Sequence, residues 1–141
     1  MSTGNVVTNY TRTALVTYLQ GLSTLYLGVG IGTTTPVNAD TALGTEVTTG
    51  SLGGSGTYTR PGPITGMSLQ TTTVSNDTVQ WGPGASTTWT NPVGSSNTPA
   101  VTEAGIFSAV SAGNMYYHTV FAAMNIAPGF GIQVQASIVA A

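Results

Sequence analysis

The stretch Phe130-Gly-Ile-Gln-Val-Gln-Ala-Ser-Ile138 decides the fold, because its apolar and polar residues alternate along its whole length. Successive side chains of an extended chain point to opposite faces, so this alternation predicts a β-strand with one face in the core and the other in solvent. Residues 101–109 and 114–121 have the same extended character, and turn residues separate the three segments. We therefore expect three consecutive strands in an antiparallel meander at the centre of the fold.

The charge content of the chain is unusually low. Charged residues make up 4% of the 141 positions, against about 25% in an ordinary soluble protein, and there is no lysine. They are Arg12, Arg60, Asp40, Glu46, Asp77 and Glu103. With a net charge of −2 and no basic patch, the chain is not expected to bind nucleic acid. So few charges to keep copies apart predict a preference for an assembled state.

The remaining composition predicts a folded domain. Hydrophobic residues make up 40% of the chain, which is enough to bury a core, and residues 1–141 are expected to form a single domain. Cysteine is absent, so no disulfide contributes. No apolar run approaches the roughly 18 residues of a membrane span, and the start lacks the features of a signal peptide, so no membrane contact is expected.

The N-terminal part is predicted to contain the one convincing helix. Residues 1–10 are expected to form an extended polar arm, and an apolar stripe at helical spacing follows. The stripe consists of Ala14, Leu15, Tyr18, Leu19 and Leu22. Asn9 or Thr11 is expected to cap the first turn, and Gly21 to end the helix. Residues 24–30 alternate in the strand pattern and are expected to form the first strand.

Two segments rich in Gly, Ser, Thr and Pro, residues 48–66 and 82–100, are predicted to be long surface loops. A short strand is expected within each, at residues 58–60 and 87–90. The segment between them, residues 67–82, predicts a β-hairpin.

Residues 40–46 resemble a single helical turn with Asp40 at its cap. With about seven or eight short strands and one helix, the chain is predicted to be mainly β. The expected architecture is an antiparallel β-sandwich or a partly closed barrel with one short N-terminal helix.

No catalytic, cofactor or metal site is predicted. His118 is the one histidine and alternates with Tyr116 and Val120 on one strand face, where a structural role is expected rather than that of a general base. Asp40 and Glu46 lie close in sequence, but paired catalytic carboxylates need a pocket that raises one pKa, so cap and surface roles are expected. One histidine and four scattered acids predict no metal centre, with a weak Ca²⁺ site as the alternative.

Two further patterns in the sequence suggest binding sites. Gly28-Val-Gly-Ile-Gly32 resembles a dinucleotide-binding loop, but Thr-Thr-Thr-Pro36 follows it where the fingerprint requires a helix. We interpret it as a crowded strand end. Aromatic residues on the predicted loops offer a sugar-stacking platform, which leaves a carbohydrate-binding module as an alternative function. They are Trp81, Trp89, Tyr58 and Tyr10.

Two parts of the sequence resemble small virion proteins of tailed bacteriophages. Leu25-Tyr-Leu-Gly-Val-Gly-Ile-Gly32, Pro36 and Asp40-Thr-Ala-Leu-Gly-Thr-Glu-Val47 are similar to the N-terminal half of that family. Trp89, Glu103-Ala-Gly-Ile-Phe-Ser-Ala109, Gly113-Asn-Met-Tyr116 and the closing alternating strand are similar to its second half. The resemblance covers residues 12–139. The chain departs from the family at Ser108, where Asp is frequent, in its low charge, and in its Gly/Thr-rich insertion at residues 48–57.

The resemblance implies a non-enzymatic structural protein of a phage particle. Members are commonly labelled tail-fibre or minor structural proteins, and similar small β-proteins decorate capsids. We expect a capsid decoration (cement) protein on the capsid exterior, whose partners are the major capsid protein and copies of itself in a homotrimer. A tail-fibre, baseplate or tail-tip component is the alternative, and only then is a host-surface glycan an expected partner. The candidate assembly contacts are Asn5, Val6, Val7, Tyr10, Tyr58, Arg60, Trp81 and Trp89.

Overall fold

The computed structural model describes residues 8–22, 24–65 and 67–140. Within them, antiparallel sheets dominate and only one helix exceeds a single turn, so the predicted mainly β fold is confirmed. The helices are α1 (Asn9–Gln20) and α2 (Thr49–Leu52), with a 3-10 turn at Ala85–Thr87. The strands are β1 (Tyr26–Gly30), β2 (Ser68–Gln70), β3 (Thr78–Trp81), β4 (Thr88–Thr90), β5 (Ala100–Phe107), β6 (Met115–Asn125), β7 (Gly131–Gln133) and β8 (Ala136–Val139). No closed barrel forms within these ranges, and the arrangement is compatible with a sandwich.

The central sheet has the strand order β1-β5-β6. Every residue of β5 after Ala100 is buried, because the strand is flanked on both sides and covered on both faces. The predicted antiparallel pair of β5 and β6 is confirmed, and the predicted first strand is β1. Gly105 lies opposite Gly28 on one side and opposite His118 on the other. This register brings the start of β5 beside the end of β1.

The predicted three-strand meander is wrong in its last member. The alternation holds, since Ile132, Val134 and Ala136 are buried, but the stretch is divided between two other sheets. β7 pairs with β4 and β8 pairs with β3. The buried Asn91 explains the change of partner: its side-chain amide donates to Ile126 O (2.8 Å), and its backbone N–H donates to Phe130 O (2.9 Å). These bonds hold the chain after β6 against β4.

Helix α1 ends at Gly21 as predicted, but its beginning and its buried face differ from the prediction. Thr8 is the N-cap, so the helix begins at Asn9 and the expected extended arm is wrong at its last two residues. The helix packs against β2 and β3, and Val16 is its buried residue. Leu15 and Tyr18 of the predicted stripe face solvent, because Val16 and Leu19 supply the side that meets the sheet.

Residues 48–65 are mostly exposed, but the segment is anchored to the body of the fold, because Leu52 and Ile64 are buried. It runs along the outer edge of β1, and the strand expected at residues 58–60 does not form. Leu27 N–H donates to Pro61 O (2.9 Å) and Ile64 N–H donates to Leu25 O (2.7 Å). This segment thereby satisfies part of the backbone groups that β1 turns away from β5.

Residues 40–46 do not form a helical turn. The Asp40 carboxylate accepts from Val37 N–H (2.9 Å) and so closes a turn that precedes it, while Glu46 pairs with Gly30 in an isolated bridge. The predicted hairpin is confirmed as β2 and β3. The segment 82–100 contains β4 near the expected position, but it is part of the folded body, since Asn91 and Ser95 are buried.

One hydrophobic core lies under the three sheets, and both tryptophans belong to it. Trp81 is 0% exposed and Trp89 is 3% exposed. Burying a large apolar side chain stabilises a fold by about 1.5–3 kcal/mol. No helix in the described ranges is long and apolar enough to cross a membrane.

Candidate functional site

A buried carboxylate, Glu103 in β5, is the centre of the most connected polar cluster. Its side chain is 0% exposed, and its Oε1 accepts from the backbone N–H groups of Gly32 and Thr45, both at 2.8 Å. Its Oε2 accepts from Gly44 N–H at 2.9 Å and lies 3.0 Å from His118 Nε2. Burial alone would raise the pKa of Glu103, but these hydrogen bonds together lower it below its ordinary value. Glu103 therefore remains charged inside the fold and joins β5 to the loop after β1.

The glycines around Glu103 leave room for its carboxylate. A Cβ atom at Gly32 would lie 2.5 Å from Glu103 Oε1 and 2.9 Å from Thr45 N, and one at Gly30 would collide with the same oxygen. The Gly-x-Gly-x-Gly pattern of residues 28–32 therefore admits a carboxylate and a neighbouring backbone. The interpretation of this pattern as a crowded strand end agrees with the structure.

His118 lies between two carboxylates. Its Nδ1 is 2.8 Å from Asp40 Oδ2, and its Nε2 faces Glu103 as described. The imidazole is 7% exposed and Asp40 is 25% exposed. Only the imidazolium can donate from both ring nitrogens, so the charged form satisfies both acceptors. Backbone donation from Val37, and then the hydrogen bond from His118, lower the pKa of Asp40.

These contacts join the loop that contains Asp40 to strands β5 and β6. They also leave His118 no free ring nitrogen to accept a proton from a substrate. The described residues contain no group of three or more His, Cys, Asp or Glu that could hold a metal ion. We refer to Glu103, His118, Asp40 and the three backbone donors as the Glu103 cluster.

A second cluster surrounds Arg60, which is 4% exposed. Its Nε and Nη2 donate to the two oxygens of Glu46 at 2.6 and 2.7 Å, and its Nη1 donates to the carbonyls of Ala109 and Ala112. The guanidinium also stacks on the Phe107 ring, 3.6 Å from its centroid. The planar fork of arginine matches a carboxylate in this bidentate way. Arg60 thus ties the segment 48–66 to the end of β5.

Tyr58 completes the Arg60 cluster. Its hydroxyl donates to Glu46 Oε1 (2.8 Å) and accepts from Val29 N–H (3.1 Å). Burial is the main cause that raises the pKa of Tyr58 well above its ordinary value of 10.0. The neutral phenol is therefore the form that fits.

Asp77 has an equally internal role, in the turn between β2 and β3. Its carboxylate is fully buried and accepts from the backbone N–H groups of Thr72, Thr73 and Val74 at 2.8–2.9 Å. It also accepts from the Thr73 hydroxyl at 2.6 Å. Hydrogen bonds from Thr73 and Val74 lower its pKa strongly. The charged carboxylate of Asp77 therefore stabilises the turn between β2 and β3.

Five of the six charged side chains therefore form hydrogen bonds within the fold, three of them buried and two, Asp40 and Glu46, about a quarter exposed. They are Asp40, Glu46, Arg60, Asp77 and Glu103. Arg12 on α1 is the one that makes no side-chain hydrogen bond to the described residues. A buried charge must be paired, so in a chain with so few charges these residues hold the structure together. The outer surface that remains is almost without charge.

Apolar side chains occupy part of this surface. On α1, Tyr10 is 85% exposed, and Leu15 and Tyr18 are exposed beside it. We call these three residues the outer helix face. At the turn after β6, Phe130 is exposed close to Val93, which adjoins the same turn at Gly129. We call Val93 and Phe130 the turn patch. Contiguous exposed apolar patches mark contact surfaces, so these two groups are the candidates for contact among the described residues.

The structure distributes the predicted assembly contacts over very different environments. Tyr10 lies on the surface, as an assembly contact requires. Trp81 and Trp89 are wrong as contacts, because both are in the core, and the proposed sugar-stacking platform therefore does not form. Tyr58 and Arg60 instead donate hydrogen bonds to Glu46 within the fold. Asn5, Val6 and Val7, with most of the predicted arm, lie outside the described residues.

Two shallow clefts flank the clusters. One, of about 470 Å³, lies between the loop at residues 36–40 and the start of β6, beside His118. The other, of about 410 Å³, lies beside Arg60 and is lined by residues 46–49 and 110–112. Among the described residues, neither cleft places a nucleophile next to a free base.

The role of Glu103 was missed from the sequence, although a signal was present. It is the one charged residue within the otherwise uncharged stretch 100–107, which becomes a fully covered strand. A charge in such a strand requires partners, and the backbone of a Gly-rich segment is a suitable donor.

No protein-family model matches the chain, and no curated protein matches it.

Proposed function

We propose that this chain is a non-enzymatic structural protein of a tailed bacteriophage particle, a capsid decoration protein that bridges major capsid subunits on the capsid exterior. The observation that carries the proposal is the distribution of charge. Five of six charged side chains are hydrogen-bonded to other parts of the chain, three of them buried, and the surface presents mainly apolar and neutral polar groups. Free soluble proteins rely on surface charge to stay apart, so such a surface is suited to permanent contact with neighbours.

The sequence resemblance supports the phage particle as the place of assembly. A particle coat contains many copies, and symmetry repeats each contact, so contacts that are weak individually hold together. Main-chain and apolar contacts are sufficient for this purpose. Neither requires surface charge, a cofactor or a catalytic group.

The outer helix face and the turn patch are the candidate contact surfaces among the described residues. Both present large apolar side chains at high exposure, with Tyr18 at 67% and Phe130 at 69%. Contacts of this type do not depend on ion pairs, so ionic strength has little influence on them. We therefore expect the chain to stay on particles at molar salt.

Reconstitution tests the proposal. Particles that lack the chain are mixed with the wild-type protein or with Tyr18→Glu or Phe130→Glu, and bound protein is measured after sedimentation. A matched control is Gln135→Glu, which adds the same charge at an exposed polar position. We expect wild type and Gln135→Glu to bind, and at least one of the other two variants to bind at least about tenfold more weakly, a change of about 1.4 kcal/mol. Failure of the wild type to bind heads, or binding only to tails, would refute the decoration role.

A further inference from the structure

The two edge strands of the central sheet, β1 and β6, differ in whether their outward backbone groups have hydrogen-bond partners. Along β1, the outward backbone groups are satisfied by other parts of the chain. Leu27 N–H donates to Pro61 O, Ile31 N–H donates to Thr45 O (2.8 Å), and Val29 N–H donates to the Tyr58 hydroxyl. The edge of β6 pairs with no strand in the described ranges.

The hydrogen-bond pattern shows which groups of β6 point outward. Ser108 N–H donates to Asn114 O, so Ser108 faces β6, and alternation makes Ala104 face β6 as well. Ala104 lies opposite Thr119, which therefore uses its backbone groups within the sheet. His118 and Val120, its neighbours, turn their N–H and C=O groups to the free edge.

The cleft of about 470 Å³ follows this edge. Residues 115–118 of β6 line it, and the register shift between Ile106 and Phe107, which lie opposite Tyr117 and Met115, interrupts the side-chain alternation at Tyr116. The cleft thus lies beside the first four residues of the strand. The loop at residues 36–40 forms the opposite wall, so an extended segment can lie beside β6.

The edge also lacks most features that prevent strand addition. β6 is 11 residues long and contains no lysine and no proline. Edge strands in natural proteins are usually short, or they are charged, interrupted or covered by another segment. The register of β6 with β5 shifts twice, between Val101 and Glu103 and between Ile106 and Phe107, and residues 117–120 between the two shifts are regular.

We propose that β6 is an interaction edge, and that its occupant is β6 of a second copy, paired antiparallel about a two-fold axis at Thr119. In this register His118 and Val120 of one copy exchange backbone hydrogen bonds with Val120 and His118 of the other. The sequence is self-complementary in the same register. Thr119 faces Thr119, which is a favourable threonine cross-strand pair, and Tyr117 comes near Phe121, the first residue after the regular stretch. Two-fold pairing of this kind is the usual isologous contact.

The side chain of His118 does not oppose the pairing. Both ring nitrogens are bound to Asp40 and Glu103 of its own copy, so the imidazole is occupied within that copy. The pairing rests on the sheet geometry alone and holds whether or not the chain decorates a capsid. It predicts dimers of the isolated chain, whereas the resemblance predicts trimers.

The test compares Val120→Pro with Val120→Thr. Proline removes an outward N–H that the pairing with β5 does not use, and threonine keeps both the N–H and the branched shape. By symmetry each dimer loses two hydrogen bonds in Val120→Pro. We expect its dissociation constant from sedimentation velocity to rise at least about tenfold, and that of Val120→Thr to stay within about threefold of wild type.

Hydrogen exchange of the wild-type amides provides a second measurement that does not depend on the folding of Val120→Pro. The His118 and Val120 amides are expected to exchange slowly at high protein concentration and quickly on dilution. A wild-type monomer at all concentrations, a dimer unaffected by Val120→Pro, or a trimer in which these two amides exchange freely would each overturn the proposal. A dimer whose β6 amides are protected supports it even if the chain proves absent from capsids.

Discussion

Replacing Glu103 with glutamine tests whether one buried carboxylate holds the central sheet to the loop after β1. Glutamine has the same shape, and its carbonyl can still accept from Gly32 and Thr45. Its amide group takes the place of Oε2, where the wild-type oxygen accepts from Gly44 N–H at 2.9 Å and faces His118 Nε2 at 3.0 Å. In the variant the amide group therefore faces Gly44 N–H and His118 Nε2, and these groups lose their acceptor in a site that is 0% exposed.

The expected cost follows from these lost contacts. A hydrogen bond to a charged group contributes about 1.5–3 kcal/mol, and two are lost at the Oε2 position. Removing one partner from a buried ion pair costs about 3–5 kcal/mol. We therefore expect Glu103→Gln to lower the free energy of unfolding by about 3–5 kcal/mol. A domain has about 5–15 kcal/mol in total, so the variant should be close to unfolding at ambient temperature.

Urea unfolding followed by tryptophan fluorescence measures this loss, since Trp81 and Trp89 are both in the core. The matched control is Asp40→Asn, which removes the same charge from the other side of His118. Asp40 is 25% exposed, so its loss should cost clearly less than the loss of Glu103. A Glu103→Gln protein within about 0.5 kcal/mol of wild type, or no less stable than Asp40→Asn, would refute the reasoning.

Three further changes test the same structure. Gly32→Ala should lower the free energy of unfolding by about 1–3 kcal/mol, because its methyl group meets Glu103 at 2.5 Å. Gly84→Ala, whose Cβ meets no atom within 4 Å, should melt within a few degrees of wild type, and equal melting of both variants would count against the account. Arg60→Lys should cost at least about 1.5 kcal/mol in urea unfolding, because an ammonium group cannot replace the bidentate contact, and an unchanged midpoint would contradict this. The pKa of folded Glu103 is below its ordinary 4.5, so the unfolded chain binds its proton first, and this contribution to stability is complete above about pH 4.5 and lost on acidification. The pKa of folded Tyr58 is raised above 10.0, so its contribution is complete below about pH 10 and declines as pH rises further. Unfolding free energies measured across pH should be highest between these limits, and a rise in stability below pH 4.5 would contradict the assignment.

The sequence predicted those parts of the fold that depend on local pattern. Period-two alternation located β1, β5 and β6 and the buried residues Ile132, Val134 and Ala136, because burial of one face acts at every second position. The helix end at Gly21 was also readable from local chemistry.

The errors arose where a distant contact overrides the local pattern. The final alternating stretch changes partner between Val134 and Ala136 because Asn91 holds the preceding turn, and no local signal identifies that bond. The segment 48–66 reads as polar and irregular, but the edge of β1 requires hydrogen-bond partners that this segment supplies. Which segment lies along the edge of a sheet depends on the topology of the whole fold, so the sequence of one segment does not reveal it.

The candidate site was predictable only in part. A structural role for His118 agrees with its two carboxylate partners, whereas the cap and surface roles expected of Asp40 and Glu46 missed their partners His118 and Arg60. Pairing among charges far apart in sequence requires the fold. With only six charged residues, the general rule that buried charges are paired was nevertheless available from composition.

Imaging of purified phage particles that contain this chain, combined with a count of its copies, tests most directly whether the uncharged surface serves to coat a capsid. The account predicts density for the chain on the outside of the head at junctions between capsomers, in a copy number that scales with that of the major capsid protein. Density confined to the tail, with only the few copies that a tail accommodates, would contradict it.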